Sequence, residues 1–316
     1  CHRNRGCTQN QTEQRLKRMY HYLGNERLQM AFHSPNTCGI FLVMLALVCC
    51  GMLLWTDRKI QRTPLRIFCE VPLFAVIISL FIGIGMTYSR GAWLACLGGL
   101  LLFLWLTRSL KSASLLLLFL LLLIPLPDSG KRAASSFQVK EKSILHRLYL
   151  WRGGCAMIAD NWVHGVGAAP APGIRYAEKY RPDWIRADTF TLVSDPLTVG
   201  ASYGIFALYG WLLLLGWPLH CGFPAYFRRR NPLIAGILCA VCAYGIAGLF
   251  STLFNELLPS LLILQGLLCL AAFRGFRTES PNRKRLLLTA VPAGAAVLCL
   301  LLLTAGAGFS ILLFQQ

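Results

Sequence analysis

Runs of close to twenty apolar residues recur along this 316-residue chain, and no other feature constrains its fold so strongly. That is the length a helix needs to cross the hydrocarbon of a bilayer, where the backbone must satisfy its own hydrogen bonds. Eight such helices are read, at roughly 37–55, 70–88, 91–107, 112–126, 196–220, 232–250, 257–273 and 286–313. The expected fold class is all-α: a polytopic transmembrane bundle of about eight spans, forming one domain, with one large and partly helical extracytoplasmic loop. Composition agrees, since 56% of the residues are hydrophobic and only 14% charged, outside the range of ordinary soluble domains. The fourth helix is short for a span and ends at Pro125 and Pro127.

A net charge of +18 invites a nucleic-acid reading, but the basic residues fall where membrane topology needs them. Arg58, Lys59, Arg62 and Arg66 follow the first helix, Arg108 and Lys111 the third, Arg228 to Arg230 the fifth, and Arg274, Arg277, Arg283, Lys284 and Arg285 the seventh. These are alternate connections, so the positive-inside rule places all four in the cytoplasm and predicts no nucleic-acid partner. The organisation that follows is an N-terminal extracytoplasmic segment 1–36, helices one to four over 37–126, an extracytoplasmic loop 127–195, and helices five to eight over 196–316. The first segment breaks the charge rule, because Arg3, Arg5, Arg15, Lys17, Arg18 and Arg27 fall on the outer side. The chain also begins at Cys1 without a signal-like run, which reads as the back portion of a longer protein. Cys239 and Cys242 have redox-motif spacing, but they sit inside an apolar run and behave as small hydrophobes.

The loop of about 69 residues is the natural place for chemistry, being rich in Arg, Asp, Trp, Gly and Pro. Residues 141–160 predict an amphipathic helix, because Ile144, Leu148, Trp151, Cys155 and Ile158 recur at three- and four-residue steps. That spacing puts Arg147 and Trp151 one turn apart. Asp160 and Asn161 stop the helix, and His164-Gly165-Val-Gly167, followed by Pro170 and Pro172, makes a tight turn. Gly200 and Gly204 give a small-residue packing face at the start of the fifth helix.

Three outward-facing arginines, Arg27, Arg90 and Arg147, are candidates for holding an anion, since a guanidinium fork matches phosphate oxygens in paired hydrogen bonds. Each could instead reach lipid headgroups or pair with an acid such as Glu256 or Asp160. Four separated segments bear on the choice. Arg27-Leu-Gln-Met-Ala-Phe-His-Ser-Pro35-Asn36, the Ser89-Arg90-Gly turn, Arg147-x-x-x-Trp151 through Met157, Asp160 and Gly165-Val-Gly167, and Ser194-Asp195-Pro-Leu197 with Gly204 occur in this order. Together they resemble the O-antigen ligase and polymerase family of bacterial membrane glycosyltransferases.

The resemblance implies a multi-pass protein of the bacterial inner membrane, with an undecaprenyl-diphosphate-linked glycan as donor. The acceptor would be a hydroxyl of lipid A core, another glycan or a protein. It implies no metal, nucleotide or other cofactor, because the leaving group is already activated. In the family a His stands just before the fifth helix, and here that position is Val193, while the usual acid in the following helix becomes Ser202. Val cannot accept a proton. Asp195 is then a candidate base, or equally an N-terminal cap with Pro196 in the first helical position. His164 is a second candidate and Asp188 a weaker third. A repeat-unit polymerase differs only in acceptor, and an inactive relative or a transporter are the competing classes, although no midplane acid or base supports transport.

Overall fold

A computed structural model describes Leu28, Phe32 and residues 34–60, 63–123, 142–168, 171–182 and 192–276. Every regular element among them is helical: α1 (Pro35–Lys59), α2 (Thr63–Met86), α3 (Arg90–Thr107), α4 (Leu110–Leu123), α5 (Lys142–Asp160), α6 (Ala171–Arg175) running into a π-helical turn (Tyr176–Tyr180), α7 (Asp195–Tyr203), α8 (Ile205–Arg229), α9 (Pro232–Gly248) and α10 (Phe254–Phe276). Four of these, α1, α2, α3 and α8, are long and apolar enough to cross a membrane, while α4, α9 and the first part of α10 are apolar but shorter. The eighth expected helix, at 286–313, lies outside the described residues, as do Arg27 and Asp188.

The helix starts follow local chemistry. Ser34 caps α1 by accepting the Thr37 amide at 3.1 Å, Ser89 caps α3 through the Ala92 amide at 3.2 Å, and Asn231 caps α9 through the Leu233 amide at 3.0 Å. Pro35 and Pro232 stand just inside their helices, where the missing N–H costs nothing. At the opposite ends Arg108 and Arg230 close α3 and α8 in the left-handed conformation. Helix α2 begins seven residues before the expected 70, because its charged first turns are paired. Arg66 lies 3.3 Å from Asp57 and 3.6 Å from Glu70, and Lys111 lies 2.7 Å from Asp57. These contacts tie α1, α2 and α4 together at the end of the bundle that also carries Arg58, hydrogen-bonded to the Arg230 carbonyl at 3.0 Å.

Helix α1 is the hub, packed against α2, α3 and α9. It meets α9 almost backbone to backbone: a Cβ on Gly236 would stand 2.6 Å from the Leu47 carbonyl, and one on Gly51 would stand 2.9 Å from the Pro232 carbonyl. Such an approach lets small residues do in lipid what large ones do in a soluble core.

The single fifth helix expected over 196–220 is two helices, α7 and α8, broken at Gly204. Gly204 adopts φ 84°, which an L side chain resists, and its amide ends α7 by bonding to the Gly200 carbonyl. The expected small-residue packing face is therefore only half right: Gly200 packs on Ile158, and Gly204 is the break.

Candidate functional site

The end of the bundle opposite the Asp57–Lys111 cluster gathers most of the residues that the sequence singles out. At the joint between α2 and α3, Thr87 bonds to the Ile84 carbonyl at 2.7 Å, the Ser89 amide reaches Thr87 at 3.3 Å, and the Trp93 indole donates to Ile84 at 3.2 Å. Tyr88 takes φ 48° to make the turn. This clasp leaves Arg90 half-buried as the first residue of α3, beside the positive end of that helix. The Leu28 amide donates to the Met86 carbonyl at 3.2 Å, so the chain just after Arg27 reaches the same joint.

Helix α5 carries the next pair. The Arg147 guanidinium donates through Nη1 to the Phe250 carbonyl at 2.9 Å, and the Trp151 ring lies 5.7 Å from the Phe250 ring at 44°. One residue of the α9–α10 turn thus meets both side chains that one helical turn brings together. The Trp151 Nε1 is enclosed and makes no hydrogen bond among the described residues. The helix ends at Asp160 as expected, but its inward face is only partly the expected one, with Trp151 and Ile158 packed inward. Leu148 and Cys155 are exposed, whereas Leu150, Gly153, Gly154 and Met157 are buried against Tyr176, Leu192 and Leu197. The glycines admit Tyr176 and Leu192 closer than any side chain would, so the core lies on the glycine side, which a search for apolar periodicity passes over.

Asp160 is exposed and binds Lys179 Nζ and Tyr180 Oη, each at 2.7 Å. The Lys179 contact first, then Tyr180, holds its carboxyl below the usual range. Asp160 therefore fastens the π-helical turn to the end of α5. The following turn does more than shape the loop. The amides of Val166 and Gly167 donate to the carbonyls of Ala201 (2.8 Å) and Ser202 (3.0 Å), and the Ile205 amide donates to Trp162 (2.8 Å). The loop thus plugs the break in the helix, satisfying carbonyls that α7 leaves unpaired and an amide from the first residue of α8. Gly165, at φ 69°, lies against the backbone of Ser202 and Tyr203 and leaves no room for a Cβ. His164 sits in this turn and is exposed.

Asp195 is the most enclosed polar residue of the group, with no exposed surface. It begins α7, and Pro196 follows it as expected, yet its side chain does not cap its own helix. Its Oδ1 accepts the amides of Leu253 (2.6 Å) and Phe254 (2.9 Å), and its Oδ2 accepts the Tyr244 hydroxyl (3.0 Å). The carboxylate caps α10 instead, from 58 residues away. Burial pushes its pKa from 3.8 up to about 7, against the downward pull of these three donors. Gly248 lies over the carboxylate, where a Cβ would stand 2.9 Å from Oδ2. Two residues earlier, Val193 is held at φ 51°, a conformation costly for a β-branched side chain.

Arg90, Arg147, Trp151 and Asp195 thus lie at one end of the bundle, where α3, α7 and α10 begin and α9 ends. Asp160, His164, Gly165 and Gly167 build the adjoining loop wall. Sequence reasoning missed Phe250, Tyr244, and the amides of Leu253 and Phe254. Only Tyr244 left a signal, since a tyrosine hydroxyl within an apolar helix calls for a partner.

The family model described as O-antigen ligase matches residues 74–212, from the middle of α2 through the loop and into α8. Three of the four motif segments fall within that region, and the segment beginning at Arg27 falls before it. No curated protein and no solved structure matches the chain.

Proposed function

We propose that this protein, whose region 74–212 is O-antigen ligase-like, is a multi-pass membrane glycosyltransferase. It takes a glycan from an undecaprenyl-diphosphate donor and transfers it to an acceptor hydroxyl, of lipid A core or another glycan, on the outer face of the bacterial inner membrane. Arg90 and Arg147, joined by Arg27, hold the diphosphate. The acceptor oxygen attacks the anomeric carbon, the bond from that carbon to the diphosphate oxygen breaks, and the hydroxyl proton leaves to a base. Fixed cations stabilise the departing diphosphate better than water, because their orientation costs nothing at the moment of reaction. His164, exposed on the turn, is the candidate base, since Val193 stands where the family pattern has His.

The observation that carries the reading is the convergence of Arg147 with the α9–α10 turn, at the end of the bundle where the Ser89–Arg90 joint opens α3, both arginines falling within the region that matches a ligase family. α3 packs along α9, so the two cationic positions crown neighbouring helices. The test is transfer from a lipid-diphosphate donor by membranes carrying the protein. Arg90→Ala and Arg147→Ala should each abolish transfer without loss of inserted protein, and retained transfer in both variants would remove the diphosphate clamp.

A further inference from the structure

We propose that Asp195 is a positioning residue for Arg147: its carboxylate fixes the start of α10 so that the α9–α10 turn presents the Phe250 carbonyl to the guanidinium. This rests on the diphosphate reading of Arg147 given above. Three observations carry it. Asp195 Oδ1 accepts the two backbone amides at the start of α10, from Leu253 and Phe254. Its Oδ2 accepts the Tyr244 hydroxyl from α9, the helix on the other side of the turn. The turn clamped between these contacts is the one whose Phe250 carbonyl receives Arg147 at 2.9 Å and whose Phe250 ring faces Trp151.

The geometry separates positioning from proton transfer. Asp195 has no exposed surface, both of its oxygens are engaged, and Gly248 covers the carboxylate. An acceptor hydroxyl has no path to either oxygen without breaking the cap. Holding the turn needs only an acceptor for two amides and a partner for Tyr244. A protonated carboxyl serves, with Oδ1 still accepting the amides and the Oδ2 proton donated to the tyrosine oxygen. A carboxamide serves equally, whereas a methyl group cannot. Unpaired amides at a buried helix start would then pull the turn toward other partners and take the Phe250 carbonyl with it.

The chain accordingly has two levels of residues at this site. Arg147 meets the donor, and Asp195 acts through the turn on which Arg147 rests. A positioning residue of this kind should affect donor affinity far more than proton transfer. Losing it should raise the KM for the lipid-diphosphate donor and leave the KM for the acceptor unchanged.

The experiment compares Asp195→Asn, Asp195→Ala, Tyr244→Phe and Arg147→Ala in the full-length protein. Steady-state transfer is measured from an undecaprenyl-diphosphate glycan, with hydrogen exchange of the 249–254 amides in parallel. The expected result is that Asp195→Ala raises donor KM by about tenfold or more and exposes the Leu253 and Phe254 amides. Asp195→Asn should stay within about threefold of the parent on both readouts. Equal damage from Asn and Ala would assign the carboxylate to proton transfer and overturn the proposal. So would an unchanged donor KM in Asp195→Ala while Arg147→Ala raises it. If Arg147→Ala leaves donor KM unchanged, the diphosphate reading itself fails. Should Asp195→Ala not fold, Tyr244→Phe, which removes one hydroxyl, decides: a rise in donor KM supports the latch and no change overturns it.

Discussion

The guanidinium of Arg147 donates to the carbonyl of Phe250 across 2.9 Å and 103 residues of sequence. This bond joins the loop half of the site to the helical half. A carbonyl oxygen occupies one donor of a five-donor fork and orients its plane. Lysine at the same position would keep the charge but lose the planar fork, whose fixed donor directions let one group face the carbonyl and a phosphate at once. Arg147→Lys is therefore expected to retain inserted protein and lose about ten- to a hundredfold in transfer rate, measured with a lipid-diphosphate donor.

Val193 holds φ 51° next to the start of α7, and a left-handed conformation costs an L residue about 1–2 kcal/mol. Asn tolerates that conformation better than any β-branched residue. Val193→Asn should raise the thermal midpoint of the purified protein by the equivalent of about 1 kcal/mol, read in a fixed-rate unfolding scan. Val193→His tests chemistry at the same position. An imidazole there would set a second base beside the start of α7, and the transfer rate should rise at least about tenfold, within what a positioned general base supplies.

Gly204 and Gly165 meet at the broken helix, where each has positive φ and neither has room for a Cβ. A methyl at Gly204 would collide with the Val163 carbonyl, and one at Gly165 with the Ser202 carbonyl. Both collisions force the same plug out of the same break. Gly204→Ala and Gly165→Ala should each destabilise by about 2–4 kcal/mol, and the double variant by clearly less than the sum, measured by unfolding in detergent.

Backbone approach also governs the bundle interior. Gly236→Ala drives a Cβ to 2.6 Å from the Leu47 carbonyl of α1, and no flexible side chain stands there to move aside. The helices must separate instead, along the most extensive helix–helix contact among the described residues. A loss of about 1–3 kcal/mol is expected, with Gly266→Ala, which meets open space, as the neutral control.

Helix placement was legible because long apolar runs admit few alternatives: α3 and α9 fall within two residues of expectation at both ends. The break at Gly204 was not legible, since glycine in an apolar run reads equally as a packing face, and the backbone groups that fill the break come from Trp162, Val166 and Gly167. The inward face of α5 escaped for a related reason, because Gly153 and Gly154 mark it by what they lack. Asp195 was recognised as a cap or a base from its place before Pro196. That its carboxylate serves α10 depends on how α7, α9 and α10 converge, and no local pattern encodes such a meeting.

Asp195 also sets a pH dependence whose sign can be worked out. In the unfolded chain its carboxyl ionises near 3.8, whereas burial raises it to about 7 in the folded protein, outweighing the three donors. Between those values the folded state keeps a proton that the unfolded chain has released. Its contribution to stability is therefore full below about pH 3.8 and declines as pH rises through about 7. Among the described residues Tyr244 is its one titratable hydrogen-bond partner, and it serves as donor to the carboxylate or acceptor from the acid. Asp195→Asn removes the titration and keeps the contacts. Unfolding scans between pH 5 and pH 8 should show a falling midpoint in the parent and a flatter profile in Asp195→Asn, and equal slopes would show that this carboxyl does not control the trend.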